Sequence, residues 1–126
     1  VSRDPEISEV WSAAIYYKGT SGTSKIRPVL IVNINEESDI VTIQEITGVK
    51  PDVPPTYYDD FKQLITKWKE TGLKKKSWVK CAPTNTHNIS KLRLGKLIGI
   101  ADEDDFEAII DKIIESKERY ELHHSK

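Results

Sequence analysis

Along the first half of the chain, apolar residues come in short β-type runs parted by polar breaks. Glu9 to Tyr17 (EVWSAAIYY) is rich in aromatic and β-branched residues and predicts a strand. Lys18 to Lys25 (KGTSGTSK) supplies glycine, serine and threonine for a loop. Pro28 has no N–H and is placed at the first residue of the next strand. Val29 to Ile34, apolar on both faces, predicts a buried strand. Asn35 to Asp39 is a polar hairpin connection. Ile40 to Thr47 opens with apolar–polar alternation and predicts the third strand of a meander.

The second half changes period. GVKPDVPPTYYDD holds three prolines and excludes regular structure. Tyr58, Phe61, Leu64, Ile65 and Trp68 then recur at helical spacing, which predicts a helix over 57–71, capped by Thr56 and ended by Gly72. Ser77 to Cys81 predicts a short strand, and Ala82 to Asn88 is turn-rich. Ser90 to Leu94 predicts a single helical turn, and Leu97 to Ala101 another strand. From Asp102 to about Tyr120, Phe106, Ile109, Ile110, Ile113 and Ile114 form one stripe of an amphipathic helix. Its acids at 102–105 sit at the positive end of the helix dipole. ELHHSK, residues 121–126, reads as a disordered tail. Short strands followed by a terminal helix predict a single α+β domain, mostly β: a small antiparallel barrel with an inserted helix and a C-terminal helix.

Composition adds one feature. The 126 residues carry a net charge of −1, but Lys62 to Gly99 holds ten Lys/Arg against one acid, Glu70. Ile100 to Lys126 holds nine acids against four Lys/Arg. A basic middle beside an acidic helix is either a phosphate-facing surface or a lysine-rich solvated face. No apolar run is long enough to span a membrane, and the first residues lack a secretory apolar core, so a cytoplasmic protein is expected. The single cysteine, Cys81, excludes an intrachain disulfide and any multi-cysteine zinc site, and it reads as a small buried hydrophobe.

Much familiar chemistry is missing. There is no G-x-S-x-G elbow and no H-E-x-x-H, and GTSGTSK lacks the glycine directly before Lys25 that a P-loop needs. His87 is the only interior histidine, so no metal and no cofactor are expected. Arginine, threonine, lysine and backbone amides remain. Those suffice for a phosphodiester, because RNA carries its own nucleophile in the 2′-hydroxyl and a guanidinium can stabilise the charge that builds on phosphorus.

The order SEVWSAAIYY, polar loop, KIRPVLIVN, hairpin, IVTIQEIT resembles the start of the MazF/PemK family of toxin endoribonucleases. WKETGLKKKSWV and SWVKCAPTNTHNISKLRLGKLIGIADEDDFEAIIDKII resemble that family's later segments, so the resemblance covers about residues 8–118. It implies an SH3-like barrel of the CcdB/PemK type, assembled as a homodimer. It implies metal-independent, sequence-selective cleavage of single-stranded RNA to 2′,3′-cyclic phosphate and 5′-hydroxyl ends. It implies a partner antitoxin whose acidic tail covers the RNA groove. Arg27 matches the arginine of the family's R-P motif, which takes part in proton transfer and phosphate stabilisation. Thr47 matches the small polar residue that binds the scissile phosphate. Lys18 to Ile26 would be the loop at the groove. Ser8-Glu9 stands where the family has Gly-Asp, altering a tight first turn, and Pro83-Thr84-Asn85-Thr86 stands where many members have Gln-x-Arg-Thr.

Around that pair, Lys25, Lys74, Lys75, Lys76, Lys80, Lys91 and Arg93 are candidate RNA-binding residues, with a plain solvated face as the alternative. Trp68 and Trp78 read as core residues, with base stacking as the other use. Two other functions stay open: a non-catalytic binding module on the same barrel, such as a CcdB-like poison, and a degenerate toxin that only binds its antitoxin. The charged ELHHSK end argues against the CcdB type.

Overall fold

The computed structural model describes residues 4–16 and 24–124. The strands β1 (Glu9–Tyr16), β2 (Ser24–Asn35) and β3 (Ile40–Thr47) form the expected meander. Their side chains alternate, and each face buries an apolar cluster. Val10, Leu30 and Ile46 point to one face, where Ile65, Val79, Cys81 and Ile109 cover them. Trp11, Ala13, Ile15, Val29, Ile31 and Ile43 point to the other, where Ile89, Leu94 and Leu97 close over them. The loop expected at Lys18 to Lys25, and Tyr17 at the end of the first predicted strand, fall largely outside the described residues.

β2 starts earlier than predicted, so Pro28 lies inside it, opposite Ser12 of β1. A proline is tolerated there because the ladder to β3 begins only at Val29↔Glu45. In the hairpin, Asn35 Oδ1 accepts from the N–H groups of Glu37 and Ser38 at 3.1 and 3.3 Å, closing the turn. Before β1, Ser8 adopts φ 78, a left-handed conformation in which glycine is the usual residue. The tight first turn is therefore kept, at some strain. Ser8 N–H donates to Ile31 O and its carbonyl accepts from Ala101 N–H, which pins both sides of the turn.

The helix predicted at 57–71 does not form. Tyr58–Phe61 is a short 3₁₀ turn, Lys62–Leu64 is a three-residue strand (β4), and 66–72 is a chain of turns. β4 pairs with β5 (Trp78–Lys80), and β5 pairs with the end of β3. Thr56 still caps, its Oγ1 accepting from Asp59 N–H, while the Asp59 carboxylate accepts from Thr56 and Asp52 N–H at 3.0 Å each. Gly72, at φ 97, still terminates: Leu73 N–H reaches Trp68 O and Gly72 N–H reaches Lys69 O, as at a helix C-terminus. Between these caps the expected helix is broken by β4 into one 3₁₀ turn and the turns at 66–72.

The region read as turns holds β6 (Thr86–Ser90), which pairs with β3 from Gln44↔Thr86 to Ile40↔Ser90. Lys91–Arg93 is the expected single turn, capped by Ser90 Oγ. β7 (Leu94–Ile100) pairs with β1. The sheet runs β4–β5–β3–β2–β1–β7 with β6 on β3. Among the described residues no ladder joins its ends, so the expected barrel is an open, curled sheet. α1 (Glu103–His124) is capped by the Asp102 carboxylate, which accepts from Asp104 and Asp105 N–H. The tail expected to be disordered is part of this helix through His124, and the His123 ring stacks on Tyr57 at 4.5 Å. Trp68 packs against the cluster under α1, as expected of a core residue. Among the described residues no helix is long and apolar enough to cross a membrane.

Candidate functional site

The ladder between β2 and β3 ends at Val29↔Glu45. Carrying its register two residues further sets Arg27 across from Thr47, where β3 has left β2 for β5. The gap is a cavity of about 390 Å³, lined among others by Ser12, Arg27, Thr47, Gly48, Lys74 and Lys75. Arg27 is half-buried, and its Nε is buried with no hydrogen-bond partner. Among the described residues no carboxylate pairs with it. Thr47 is 7% exposed, and its Oγ1 accepts from Val49 N–H at 3.1 Å. That bond uses the acceptor side of the hydroxyl and leaves its hydrogen to donate.

The rim is basic and partly apolar. The end of the Lys75 side chain lies against the Gly48 backbone, where a Cβ would collide with it. Lys74 and Lys75 are exposed and form no ion pair among the described residues. Ile26 and Val49, strongly exposed, complete the edge. The Thr71–Gly72 turn supplies the far wall and sits close on β7. A Cβ at Gly99 would run into Thr71 O, so the approach requires glycine there. A cavity holding an unpaired guanidinium, a free hydroxyl donor and lysines at its mouth suits an anion with several oxygens, such as a phosphodiester.

The other sequence candidates are dispersed. Lys25 is exposed on β2, two residues before Arg27. Lys76 lies over the Trp78 ring at 5.7 Å, outside the cavity. Lys80 faces Glu45 at 3.9 Å. The Lys91 ammonium is shared between Asp4 and Asp39 at 3.3 and 3.4 Å. Arg93 Nη2 donates to Ala14 O at 2.9 Å. Ser12 and Ser77 line the Arg27 cavity and went unnoticed in the sequence. Ser12 comes there only because it pairs with Pro28, and nothing in its own neighbourhood signals that.

A second polar group lies along β3. Glu45 is 3% exposed, and its Oε2 is 2.8 Å from His87 Nε2 and 3.3 Å from Asn85 Nδ2. Burial raises the Glu45 pKa, but the bonds from His87 and Asn85 and the charge of Lys80 outweigh it and hold the carboxyl below its ordinary value. An ionised Glu45 only accepts, so His87 Nε2–H is the donor and Nδ1 is the ring nitrogen left for other partners. Cys81 is fully buried beneath α1, and burial pushes its thiol up to about 12, away from nucleophilic use. Among the described residues no three His, Cys, Asp or Glu side chains converge to hold a metal.

Residues 7–116 match the family described as PemK-like, MazF-like toxin of type II toxin-antitoxin system. Among curated proteins none matches the sequence. Several solved structures share the fold. A Mycobacterium tuberculosis toxin, MazF-mt6, is 22% identical, with 86% of this chain and 94% of that chain covered and a TM-score of 0.61. A mycobacterial endoribonuclease in complex with its cognate antitoxin is 16% identical, with 89% and 93% covered and a TM-score of 0.63. A MazE–MazF structure from Deinococcus radiodurans is 13% identical, with 88% and 94% covered and a TM-score of 0.63.

Proposed function

Since the chain belongs to the PemK-like, MazF-like family of toxins of type II toxin-antitoxin systems, we propose that it is a metal-independent endoribonuclease acting on single-stranded RNA. The observation that carries this reading is the pairing of Arg27 and Thr47 in one cavity, with the guanidinium unpaired and its Nε buried. The scissile phosphate sits between the Arg27 guanidinium and the Thr47 hydroxyl. The adjacent 2′-oxygen attacks phosphorus as its proton passes to water. The bond to the 5′-oxygen breaks, and that oxygen takes up a proton. The products are a 2′,3′-cyclic phosphate and a 5′-hydroxyl. Arg27 neutralises the charge on the non-bridging oxygens and shares in the proton transfer, and Thr47 donates to one of those oxygens. Lys74 and Lys75 draw in the flanking backbone.

By the same reading the active form is a homodimer. Its partner is an antitoxin whose acidic segment lies over Lys74, Lys75 and the cavity mouth. One structural relative is described as an endoribonuclease in complex with its cognate antitoxin, and another as MazE–MazF.

The test is cleavage of a long single-stranded RNA with and without EDTA, with the ends mapped. Discrete cuts that survive EDTA and carry 2′,3′-cyclic phosphates are expected. Arg27→Ala should lower the rate about 100- to 1,000-fold, the usual loss for one donor to a developing oxyanion. Folding should be unaffected, since the Arg27 Nε has no hydrogen-bond partner to lose. Intact RNA with the wild-type protein, or full activity in Arg27→Ala, would overturn the assignment.

A further inference from the structure

A separate cavity of about 380 Å³ opens where the end of β1 meets β6 and the turn after it. It is lined by Tyr16, Thr86, His87, Asn88 and Arg93 over a floor of Ile15 and Ile89. The Tyr16 ring is 60% exposed, and the Arg93 guanidinium carbon stands 5.2 Å from its centroid. The bond from Arg93 Nη2 to Ala14 O fixes the guanidinium beside the ring and leaves its other donors free. Asn88 lies on the opposite face of β6 from His87, with its Oδ1 accepting from Thr42 Oγ1 at 2.7 Å, so its amide is turned away from the cavity. His87 is anchored through Nε2 by Glu45, leaving Nδ1 for a further partner. No carboxylate is among the residues lining the cavity.

We infer that this cavity is a nucleotide subsite, which receives one base of the single-stranded RNA beside the cleaved bond. The inference rests on the ribonuclease reading above. Tyr16 and Arg93 offer flat faces for a base to stack on, and His87 Nδ1 offers a polar contact to its edge. A carboxylate-rich peptide would use the charge of Arg93 but not the Tyr16 ring. Position agrees with substrate. His87 pairs with Ile43 on β3, four residues before Thr47. At the rise of a strand that separation is about 13 Å, roughly two nucleotides of an extended chain. A base held here fixes which phosphate lies at Arg27, so the subsite determines sequence preference as well as affinity.

Two measurements test this together. The first is kcat/KM for a long RNA and for a short one that ends before the subsite, in wild type, Tyr16→Ala, Tyr16→Phe and Arg93→Lys. The long-to-short ratio should fall roughly 5- to 150-fold in Tyr16→Ala. It should recover in Tyr16→Phe, which keeps the ring, and fall in Arg93→Lys, which keeps charge but loses the plane. An unchanged ratio in Tyr16→Ala, with wild type still cutting RNA, overturns the subsite and leaves the ribonuclease reading standing. The second is an NMR titration of the wild-type protein with a short single-stranded RNA of mixed sequence, followed at the Tyr16 ring and the His87 imidazole. Shifts at both without any cleavage would keep the subsite and overturn the ribonuclease reading. No shift at either group at millimolar RNA would overturn the subsite.

Discussion

Asp105 ties the terminal helix to the wall of the Arg27 cavity, and its removal has a calculable cost. It is 4% exposed in the first turn of α1. Its carboxylate accepts from Thr66 N–H at 3.1 Å, Thr66 Oγ1 at 2.6 Å and Lys67 N–H at 2.9 Å. These bonds hold the start of the 66–72 turns, which continue into Gly72, Leu73, Lys74 and Lys75 of the cavity. Three hydrogen bonds to a charged acceptor, at about 1.5 kcal/mol or more each, would total roughly 4.5 kcal/mol or more if nothing replaced them. Thr66 and Lys67 are exposed, so their amides regain water when the carboxylate is gone. The expected loss is therefore about 2–3 kcal/mol, or roughly 10 °C in Tm for a chain of this size. Urea unfolding followed by tryptophan fluorescence measures it, with the m-value unchanged. Asp104→Ala, one residue away and exposed, is the control and should cost under about 0.5 kcal/mol. An Asp105→Ala midpoint indistinguishable from that of Asp104→Ala would refute the reasoning.

Two further outcomes follow from titrating groups. Backbone N–H bonds from Asp52 and Thr56 hold the Asp59 carboxyl well below the usual range, and those of Asp105 and Asp104, with Lys67, hold Asp102 down. Unfolded carboxyls protonate first as pH falls, so this stabilisation is whole above about pH 5 and is lost progressively as pH falls below about 4 toward the lower folded values. Thermal unfolding across that range should show a falling Tm, and a Tm that rises on acidification would contradict the sign. Cys81, buried with its thiol pushed up to about 12, should resist a thiol reagent at pH 8 in the native protein and react fully in urea. Fast native labelling would refute its burial.

Local sequence carried the elements whose stability is local or whose two faces both meet apolar partners. Ile40–Thr47 was legible to the residue, because alternation shows directly which side chains face which cluster. The terminal helix was legible from its stripe, although its last turn was not. ELHH is polar, and the stack of His123 on Tyr57 is a tertiary contact that the local pattern does not show. The 57–71 segment misled because Phe61 and Ile65 do enter the core, at helical spacing, but from different elements. Lys62–Leu64 is extended because Trp78–Lys80 lies beside it, and a partner that distant in sequence leaves no local period. Thr86–Ser90 has almost no apolar alternation and is a strand because β3 offers it an edge.

The residue types for phosphate chemistry and the basic middle are legible in the sequence, and the resemblance to a family makes Arg27 and Thr47 the candidate pair. Tertiary structure decided which charges accompany them. Lys74 and Lys75 come to the cavity with the turn that Gly72 ends, while Lys80 and Lys91 are drawn to Glu45, Asp4 and Asp39. It also decided that Tyr16, His87 and Arg93, scattered over three elements, share a second cavity. The reason is physical: side-chain chemistry is fixed by the residue, but the pairing of distant strands fixes which side chains face the same space, and that pairing has no local signature.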